Sequence, residues 1–168
     1  MKFIGIDNGV SGSIAIIQSE GNIVFYGPTP VFRQLNYTKK KAWINRINVK
    51  ELDGLFDSYL SYPLDVYKEC LCAIERPMIN PGRFRATISA VGALEATQIV
   101  LEDLKIPYEF IDSKEWQREL LPKGLQKEEL KAASNSICNR LFPGVILKNP
   151  GDGDSLLIAE YLRRKYTK

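Results

Sequence analysis

The sequence contains no histidine and only three cysteines among its 168 residues. The absence of histidine excludes Ser-His-Asp and Cys-His catalysis and every zinc site with an imidazole ligand. The cysteines, Cys70, Cys72 and Cys138, are odd in number and cannot all pair, so we expect buried thiols in a reducing compartment. Any catalysis must therefore use carboxylates, lysines, hydroxyl groups or bound metal ions.

Long apolar runs are also absent. No stretch approaches the ~18 apolar residues of a membrane-spanning helix, and the amino terminus reaches Asp7 too soon for a secretory signal peptide. With 12 glycines, 9 prolines and 45% apolar residues, the composition is typical of a globular chain. We therefore expect a single soluble domain over residues 1–168, inside the cell and without a membrane partner.

Acidic residues are missing from the segment between Arg33 and Lys50, which carries six basic residues. Tyr37 and Trp43 are interleaved with these charges, and further basic clusters follow at residues 76–85 and in the carboxyl-terminal tail. Each cluster alone could be a solvated surface, but three in one small domain favour a polyanionic partner such as nucleic acid. The candidate DNA contacts are Arg33, Lys39, Lys40, Lys41, Trp43, Arg46, Arg83, Phe84, Arg85, Lys114, Lys123 and Lys127.

The spacing of apolar residues predicts an α/β fold. A meander of three antiparallel strands opens the chain, and the basic segment after Pro30 is predicted to be a loop or arm. Two later strands are predicted over residues 70–74 and 108–111. Helices are predicted over residues 49–60, 85–104, 112–120 and 126–141 and from about residue 152 onward. These elements together indicate a mixed sheet flanked by helices.

The helix predicted over residues 85–104 is unusually apolar. Between Ala86 and Leu101 its only charged residue is Glu95. A helix that is apolar nearly all round is either central to the core or half-buried against a second subunit. The sequence leaves both interpretations open.

Four acidic residues recur in one structural setting. Asp7 and Glu75 each end an apolar strand, and Asp152 and Asp154 lie at the start of the last helix. Because ligand sites gather at strand ends and helix N-termini, these four side chains are predicted to converge. A carboxylate cluster in an apolar setting requires a cation, and oxygen donors without histidine or cysteine select Mg²⁺ or Mn²⁺.

Each of these acidic residues also has a simpler interpretation. Asp7 could be a turn residue of Asp-Asn-Gly, and Glu75 could pair with Arg76. Asp152 could be an ordinary helix N-cap, and the helix dipole alone would favour Asp154 in a first turn. The metal site is favoured by the ordered set: a strand-end Asp, a strand-end Glu and an Asp at a late helix start.

Three motifs give the chain a resemblance to a known family. FIGIDNG at residues 3–9, IERP at residues 74–77 and GDGDSLLIAEY at residues 151–161 resemble the RuvC-type Holliday junction resolvases, most closely their phage-encoded branch. The SKEWQ stretch at residues 113–117 is similar to that branch as well. The resemblance covers nearly the whole chain and implies a ribonuclease H-like fold with a mixed five-stranded sheet, a homodimer and metal-dependent cutting of branched DNA.

The resemblance also implies roles for single residues. Asp7, Glu75 and Asp154 match the family's catalytic metal ligands. Family members often have an Asp or His three residues before the last aspartate, where this sequence has Gly151, so Asp152 is the available substitute. Two Mg²⁺ or Mn²⁺ ions per site would then support phosphodiester hydrolysis that leaves 5′-phosphate and 3′-hydroxyl ends. No organic cofactor is expected, and the expected location is the cytoplasm of a bacterial cell or a phage-infected host.

Other functions are compatible with the same residues. A ribonuclease H-like nuclease could act on RNA or on forks and flaps, and a junction-binding protein could have little catalytic activity. An Asp-x-Gly sequence after a first strand also occurs in sugar kinases and actin-like ATPases. Those proteins need two such domains and more than twice this length, so the ATPase alternative is disfavoured.

Overall fold

The computed structural model of the protein describes residues 1–60, 69–149 and 151–167. Strands dominate the first half of the described chain, whereas helices dominate the second half, with β7 as the one strand among them. The strands are β1 (Lys2–Asp7), β2 (Ser13–Gln18), β3 (Ile23–Pro28), β4 (Val31–Leu35), β5 (Trp43–Ile47), β6 (Cys70–Glu75) and β7 (Tyr108–Ile111). The helices are α1 (Val49–Leu60), α2 (Phe84–Asp103), α3 (Ser113–Leu120), α4 (Lys127–Leu141) and α5 (Asp154–Tyr166).

Five of the strands form one mixed sheet in the order β3-β2-β1-β6-β7. The pairs β1–β2 and β2–β3 are antiparallel, whereas β1–β6 and β6–β7 are parallel. The predicted meander and the predicted mixed α/β sheet are therefore confirmed. Because β1 and β6 are both interior strands, their ends lie near the middle of one sheet edge.

Side chains alternate across the sheet and separate two apolar cores. Ile4 and Ile6 of β1 pack with α1 and α2, whereas Phe3 packs with α3, α4 and α5 on the other face. In β6, Cys72 lies on the α1 and α2 side and Ala73 on the α5 side. All three cysteines are buried, as expected. The same alternation directs the side chains that end β1 and β6 toward α5.

The last helix packs directly on the central strand. Residues Ser155 to Leu162 of α5 are buried in an unbroken run. Gly5 of β1 makes this close approach possible, since a Cβ atom there would lie 2.1 Å from the Ser155 carbonyl oxygen and 2.5 Å from the Ala159 nitrogen. The glycine thus brings the start of α5 against the end of β1.

The basic segment after Pro30 is a β-hairpin, so its prediction as a loop is wrong, and the predicted arm is a two-stranded ribbon. Val31–Leu35 and Trp43–Ile47 pair antiparallel as a separate two-stranded sheet. Val31 and Ile47 pair with each other and pack against the core on the α1 and α2 side. Packing of this apolar pair at the base anchors an otherwise exposed ribbon to the protein.

Helix α2 covers only one side of the core, so the interpretation that places it centrally is wrong. Its buried residues are Ala93, Thr97, Val100 and Leu101. Other apolar side chains on the same helix remain exposed in the described chain: Phe84 (66%), Ile88 (50%), Val91 (41%) and Ile99 (54%). The helix is therefore half-buried, as in the second interpretation, and its contact with a second subunit stays a prediction.

The remaining elements agree with the sequence within one or two residues. Asn48 precedes α1, and its Oδ1 accepts a hydrogen bond from the Glu51 backbone amide at 3.3 Å. The Asp112 amide donates to Glu115 Oε1 at 2.9 Å, as predicted for the capping box of α3. No helix within residues 1–60, 69–149 and 151–167 is both long and apolar enough to cross a membrane.

Candidate functional site

Asp7 and Glu75 end two neighbouring parallel strands. The register of β1 and β6 pairs Ile6 with Ile74, and the two acidic residues follow one position later. Both positions continue the alternation that points toward α5. The structure therefore places the two carboxylates side by side at the carboxyl edge of the sheet, where ligand sites of such sheets lie.

Asp154 joins this pair from the first position of α5. Ser13, at the start of β2, donates a hydrogen bond to Ser155 Oγ at 2.8 Å in a buried contact that ties the helix start to the sheet. The turn after Asp7 is equally tight, because a Cβ at Gly12 would lie 1.9 Å from the Asp7 carbonyl oxygen. The contact between Ser13 and Ser155, which are 142 positions apart in sequence, thus holds the start of α5 against the sheet.

The carboxylates of Asp7, Glu75 and Asp154 interact electrostatically with one another. Burial, followed by repulsion from Glu75 and Asp154, raises the pKa of Asp7 to about 8. Burial and repulsion from Asp154 raise the pKa of Glu75 to about 7. The pKa of Asp154 is also raised, chiefly by burial. Such a cluster resists carrying its full negative charge unless positive charge is added.

Asp152 lies beside the cluster, but its side chain is hydrogen-bonded to the backbone of its own loop. Its Oδ2 accepts hydrogen bonds from the backbone amides of Lys148 at 2.9 Å and Asn149 at 2.7 Å. The N-cap position of α5 is Gly153, so the helix-cap interpretation of Asp152 is wrong. Its negative charge still raises the pKa of Asp154, which places it within electrostatic reach of the site.

One face of α4 supports the site, and sequence reasoning missed it. The positive charge of Lys131 offsets part of the rise in the pKa of Asp7 and of Asp154. Ser134 Oγ donates a hydrogen bond to Asp154 Oδ1. Asn135 holds the preceding loop, since its Oδ1 accepts from the amides of Gly151 at 3.1 Å and Gly153 at 3.4 Å. The sequence carries no signal specific for this role, because a lysine, a serine and an asparagine that share one helix face are common on any solvated helix.

Two further contacts hold the neighbouring groups in place. Trp116, which is 1% exposed, donates from Nε1 to Glu75 Oε2 at 3.4 Å. Arg76 pairs with Asp112 at 3.2 Å, so the structure does not support its predicted alternative pairing with Glu75. Glu75 is thus oriented by the buried indole from α3.

An open cleft of about 730 Å³ lies beside Asp7 and Asp154, whereas Glu75 does not line it. Asp7, Asp152 and Asp154 line it together with Tyr26 and Lys131. The Tyr26 hydroxyl donates to the Asp152 carbonyl oxygen at 2.7 Å and closes one wall. Its polar lining suits an extended charged substrate better than an apolar ligand, which needs hydrophobic walls.

The donor chemistry of the site fits a hard divalent cation. Within residues 1–60, 69–149 and 151–167, no group of three or more Cys, Asp or Glu side chains is arranged to hold a metal ion as it stands. The carboxylates of Asp7, Glu75 and Asp154 nevertheless repel one another, and a cation among them would relieve that repulsion. Oxygen donors of this kind are the ligands that Mg²⁺ and Mn²⁺ prefer.

The candidate DNA contacts fall into three groups, and all whose side chains are described are exposed. Arg33, Lys39–Lys41, Trp43 and Arg46 belong to the hairpin. Arg83, Phe84 and Arg85 come after β6 in the sequence, at the start of α2, and Lys114 comes after β7, in the first turn of α3. Lys123 lies between α3 and α4, and Lys127 begins α4, with its side chain outside the described part of the structure.

Comparison with known proteins identifies the fold. No protein-family model matches the chain, and no curated protein matches it. Thermus thermophilus RuvC in complex with a Holliday junction substrate superposes with a TM-score of 0.57 at 15% identity, over 99% of this chain and 97% of that chain. A second Thermus thermophilus RuvC structure gives a TM-score of 0.51 at 15% identity, over 98% of this chain and 96% of that chain. The chain therefore shares the mixed five-stranded, ribonuclease H-like fold of these two RuvC structures.

Proposed function

We propose that the protein is a structure-selective endonuclease that resolves four-way DNA junctions and related branched DNA. The observation that carries the proposal is the carboxylate cluster of Asp7, Glu75 and Asp154 at the carboxyl edge of a RuvC-like sheet. One of the similar RuvC structures holds a Holliday junction substrate. The reaction is phosphodiester hydrolysis with two divalent ions, Mg²⁺ or Mn²⁺, and leaves 5′-phosphate and 3′-hydroxyl ends.

Four acidic side chains would hold the metal ions. Asp7 lies between Glu75 on the neighbouring strand and Asp154 on α5, and Asp152 flanks Asp154. When bound, the ions would neutralise the carboxylates, lower the pKa of a coordinated water molecule and stabilise the departing 3′ oxygen. No histidine is required, and no organic cofactor takes part.

The protein's own residues would position the DNA strand. Lys131 adds a positive charge on the rim of the cleft. It lies close enough to Asp7 and Asp154 to offset part of the rise in their pKa values. A phosphate that enters the cleft would meet this charge. The exposed residues Arg83, Arg85 and Lys114 add to the basic surface and would contact the flanking backbone.

A homodimer would match the symmetry of the substrate. The exposed apolar residues Phe84, Ile88, Val91 and Ile99 of α2 recur at helical spacing and form a stripe, interrupted by Glu95, that a second copy could cover. A two-fold dimer would present two active sites to the two equivalent strands of a four-way junction. The proposed setting is the cytoplasm of a bacterial cell or a phage-infected host.

Cleavage of a synthetic four-way junction in Mg²⁺ tests the proposal. The same assay should include linear duplex, a fork, a flap and an RNA–DNA hybrid of matched sequence. Paired, symmetry-related cuts in the junction and weak cutting of the duplex are expected. Preferred cutting of the hybrid, the fork or the flap would replace junction resolution with one of those activities, and tight binding without cutting would indicate a junction-binding protein.

A further inference from the structure

The hairpin of β4 and β5 projects from the body of the protein. Only its base is packed: Ile47 is 4% exposed, and Val31 lies against the same core. From Phe32 to Arg46 no residue is buried. Both faces of this ribbon are therefore accessible to a partner.

Positive charge surrounds the ribbon. Residues 31–50 carry six basic side chains and no acidic one. Opposed residues of an antiparallel pair lie on the same face. The register pairs Arg33 with Asn45 and Arg46 with Phe32, so the two arginines lie on opposite faces. Three consecutive lysines, 39–41, occupy the tip.

The tip is an organised turn. Asn36 and Ala42 close it with a backbone hydrogen bond of 2.9 Å, and the Asn36 Oδ1 accepts from the Ala42 amide at 3.2 Å and from Thr38 Oγ1 at 3.0 Å. Thr38 Oγ1 also lies 2.8 Å from the Lys40 carbonyl oxygen. The lysines are thus presented on a preformed loop, which lowers the entropy lost when a partner binds.

Exposed aromatic and apolar groups accompany the charge. Trp43 is 58% exposed and Leu35, its cross-strand neighbour, is 48% exposed. The Arg33 guanidinium lies 5.1 Å from the centroid of the Trp43 ring, in a cation–π contact. A side-chain pair of this kind can contact both phosphates and the apolar edges of bases.

We propose that this ribbon enters the major groove of a duplex arm, with Arg33 and Arg46 directed to opposite phosphate walls and the lysine tip toward the groove floor. The major groove is about 12 Å wide and admits a two-stranded β-ribbon. Charge on both faces suits a groove with two phosphate walls, whereas a ribbon lying flat on one backbone needs charge on one face only. The inference deepens the proposed function, on which it rests.

Single and double substitutions test the two faces separately. Arg33→Gln and Arg46→Gln should each weaken binding to a four-way junction in Ca²⁺ by about five- to tenfold at 0.1 M salt. Each should also reduce the slope of log affinity against log salt by about 0.9, and the double variant should lose both amounts. Arg140→Gln is the matched control, because Arg140 is an exposed arginine of α4, which packs on the other face of the sheet from the hairpin, and its affinity and slope should match the wild type.

Groove occupancy has its own measurement. Dimethyl sulfate methylates guanine N7, which lies in the major groove. The wild-type protein should protect guanines in the contacted arm, and the double variant should leave them reactive at an equal fraction of bound DNA. Binding with no guanine protected in any arm would overturn the groove assignment.

The possible outcomes distinguish a failure of the ribbon proposal from a failure of the proposed function. Loss of affinity in only one arginine variant would show a ribbon lying flat, and loss in neither would remove DNA contact from the ribbon while wild-type cleavage still supports the nuclease. A wild-type protein that neither binds nor cuts junctions would overturn both. Trp43→Ala that leaves DNA affinity unchanged but converts a sedimenting dimer to monomer would assign the ribbon to a second copy and overturn the proposal.

Discussion

At the scale of single residues, the acidic side chains predicted from strand ends are those that the structure brings together. Asp7 and Glu75 could be predicted because strand-end positions follow from local apolar runs. Their supports could not be, since the approach of α5 at Gly5 and the contact of Ser134 with Asp154 depend on the packing of distant segments. Asp152 could be placed near the site, but its bonds to the 148–149 amides are a property of the folded loop.

Substitution of Asp7 by Asn tests the centre of the site. The change keeps the size of the side chain but removes a negative charge that would help to hold the metal ions. Junction cleavage in Mg²⁺ should fall by several orders of magnitude, whereas junction binding in Ca²⁺ should persist. Glu119→Gln, at an exposed position on α3, should cleave like the wild type. Near-normal cleavage by the Asp7→Asn protein would remove Asp7 from the catalytic assignment.

The same carboxylates predict an unusual dependence of stability on pH. The pKa of Asp7 is about 8 and that of Glu75 about 7 in the folded protein, against ~4 in an unfolded chain. Between pH 4 and pH 8 the folded state therefore holds protons that the unfolded state has released. Because the folded state binds more protons, the free energy of unfolding falls as pH rises, by up to ~1.4 kcal/mol per pH unit for each group.

Thermal melting in EDTA checks this dependence. The wild-type melting temperature should fall between pH 5 and pH 8, and Mg²⁺ should restore part of it. The Asp7→Asn protein should melt higher than the wild type at pH 8, with a difference that shrinks toward pH 5, where Asp7 itself is protonated. A wild-type melting temperature that stays constant over this range in EDTA would contradict the raised pKa values.

At the scale of elements, helix α4 carries a supporting role that its sequence does not reveal. Asn135 accepts hydrogen bonds from two backbone amides of the loop before α5, and its Nδ2 donates to the Asn149 carbonyl oxygen at 2.8 Å. The loop in turn sets the start of α5 and hence Asp154. An amide side chain one helical turn from a lysine is common on any solvated helix, so its sequence gave no warning.

Asn135→Ala should therefore weaken both the fold and the site. Two loop amides would lose their acceptor, at a cost of about 1–3 kcal/mol in the free energy of unfolding. The Mg²⁺ concentration for half-maximal cleavage should rise, because the loop no longer fixes Asp154. Asn139→Ala, one turn further along the exposed side of α4, should change neither quantity. A variant that is less stable but has an unchanged Mg²⁺ requirement would limit Asn135 to a structural role.

The elements also show where sequence patterns lose information. Strand β6 and helix α3 were predictable because one is a continuous apolar run and the other opens with a capping box. The hairpin was not, since its strands mix Arg33, Gln34, Asn45 and Arg46 with apolar residues and its long turn lacks a tight-turn dipeptide. Its pairing depends on the burial of Val31 and Ile47 against a core built from other segments.

At the scale of the whole molecule, one sheet divides two cores and leaves one helix face uncovered. The sequence of α2 could not show which side would be covered, because nearly every side of the helix is apolar. Packing of α1 and the sheet against Ala93, Thr97, Val100 and Leu101 decides the question. The exposed stripe on the opposite side is the surface through which we propose that two copies meet.

Val91→Glu tests this assembly. Val91 is 41% exposed on the stripe, so a charge there should leave the monomer folded while its burial between two copies would cost several kcal/mol. Sedimentation at micromolar concentration should show a wild-type dimer and a variant monomer with the same circular dichroism spectrum. Leu94→Glu is a poorer choice, because Leu94 packs against the core and a charge there perturbs folding.

A control variant with a negative charge elsewhere on the surface shows whether the loss of the dimer is specific to α2. Asn139→Glu adds the same negative charge to the exposed side of α4 and should remain dimeric. If the two-fold arrangement supplies one active site to each of two junction strands, the Val91→Glu monomer should nick junctions without the paired cuts that the dimer makes. A wild-type chain that sediments as a monomer would contradict the dimer. A monomeric variant that still makes paired cuts at the wild-type rate would show that junction resolution does not depend on pairing through α2.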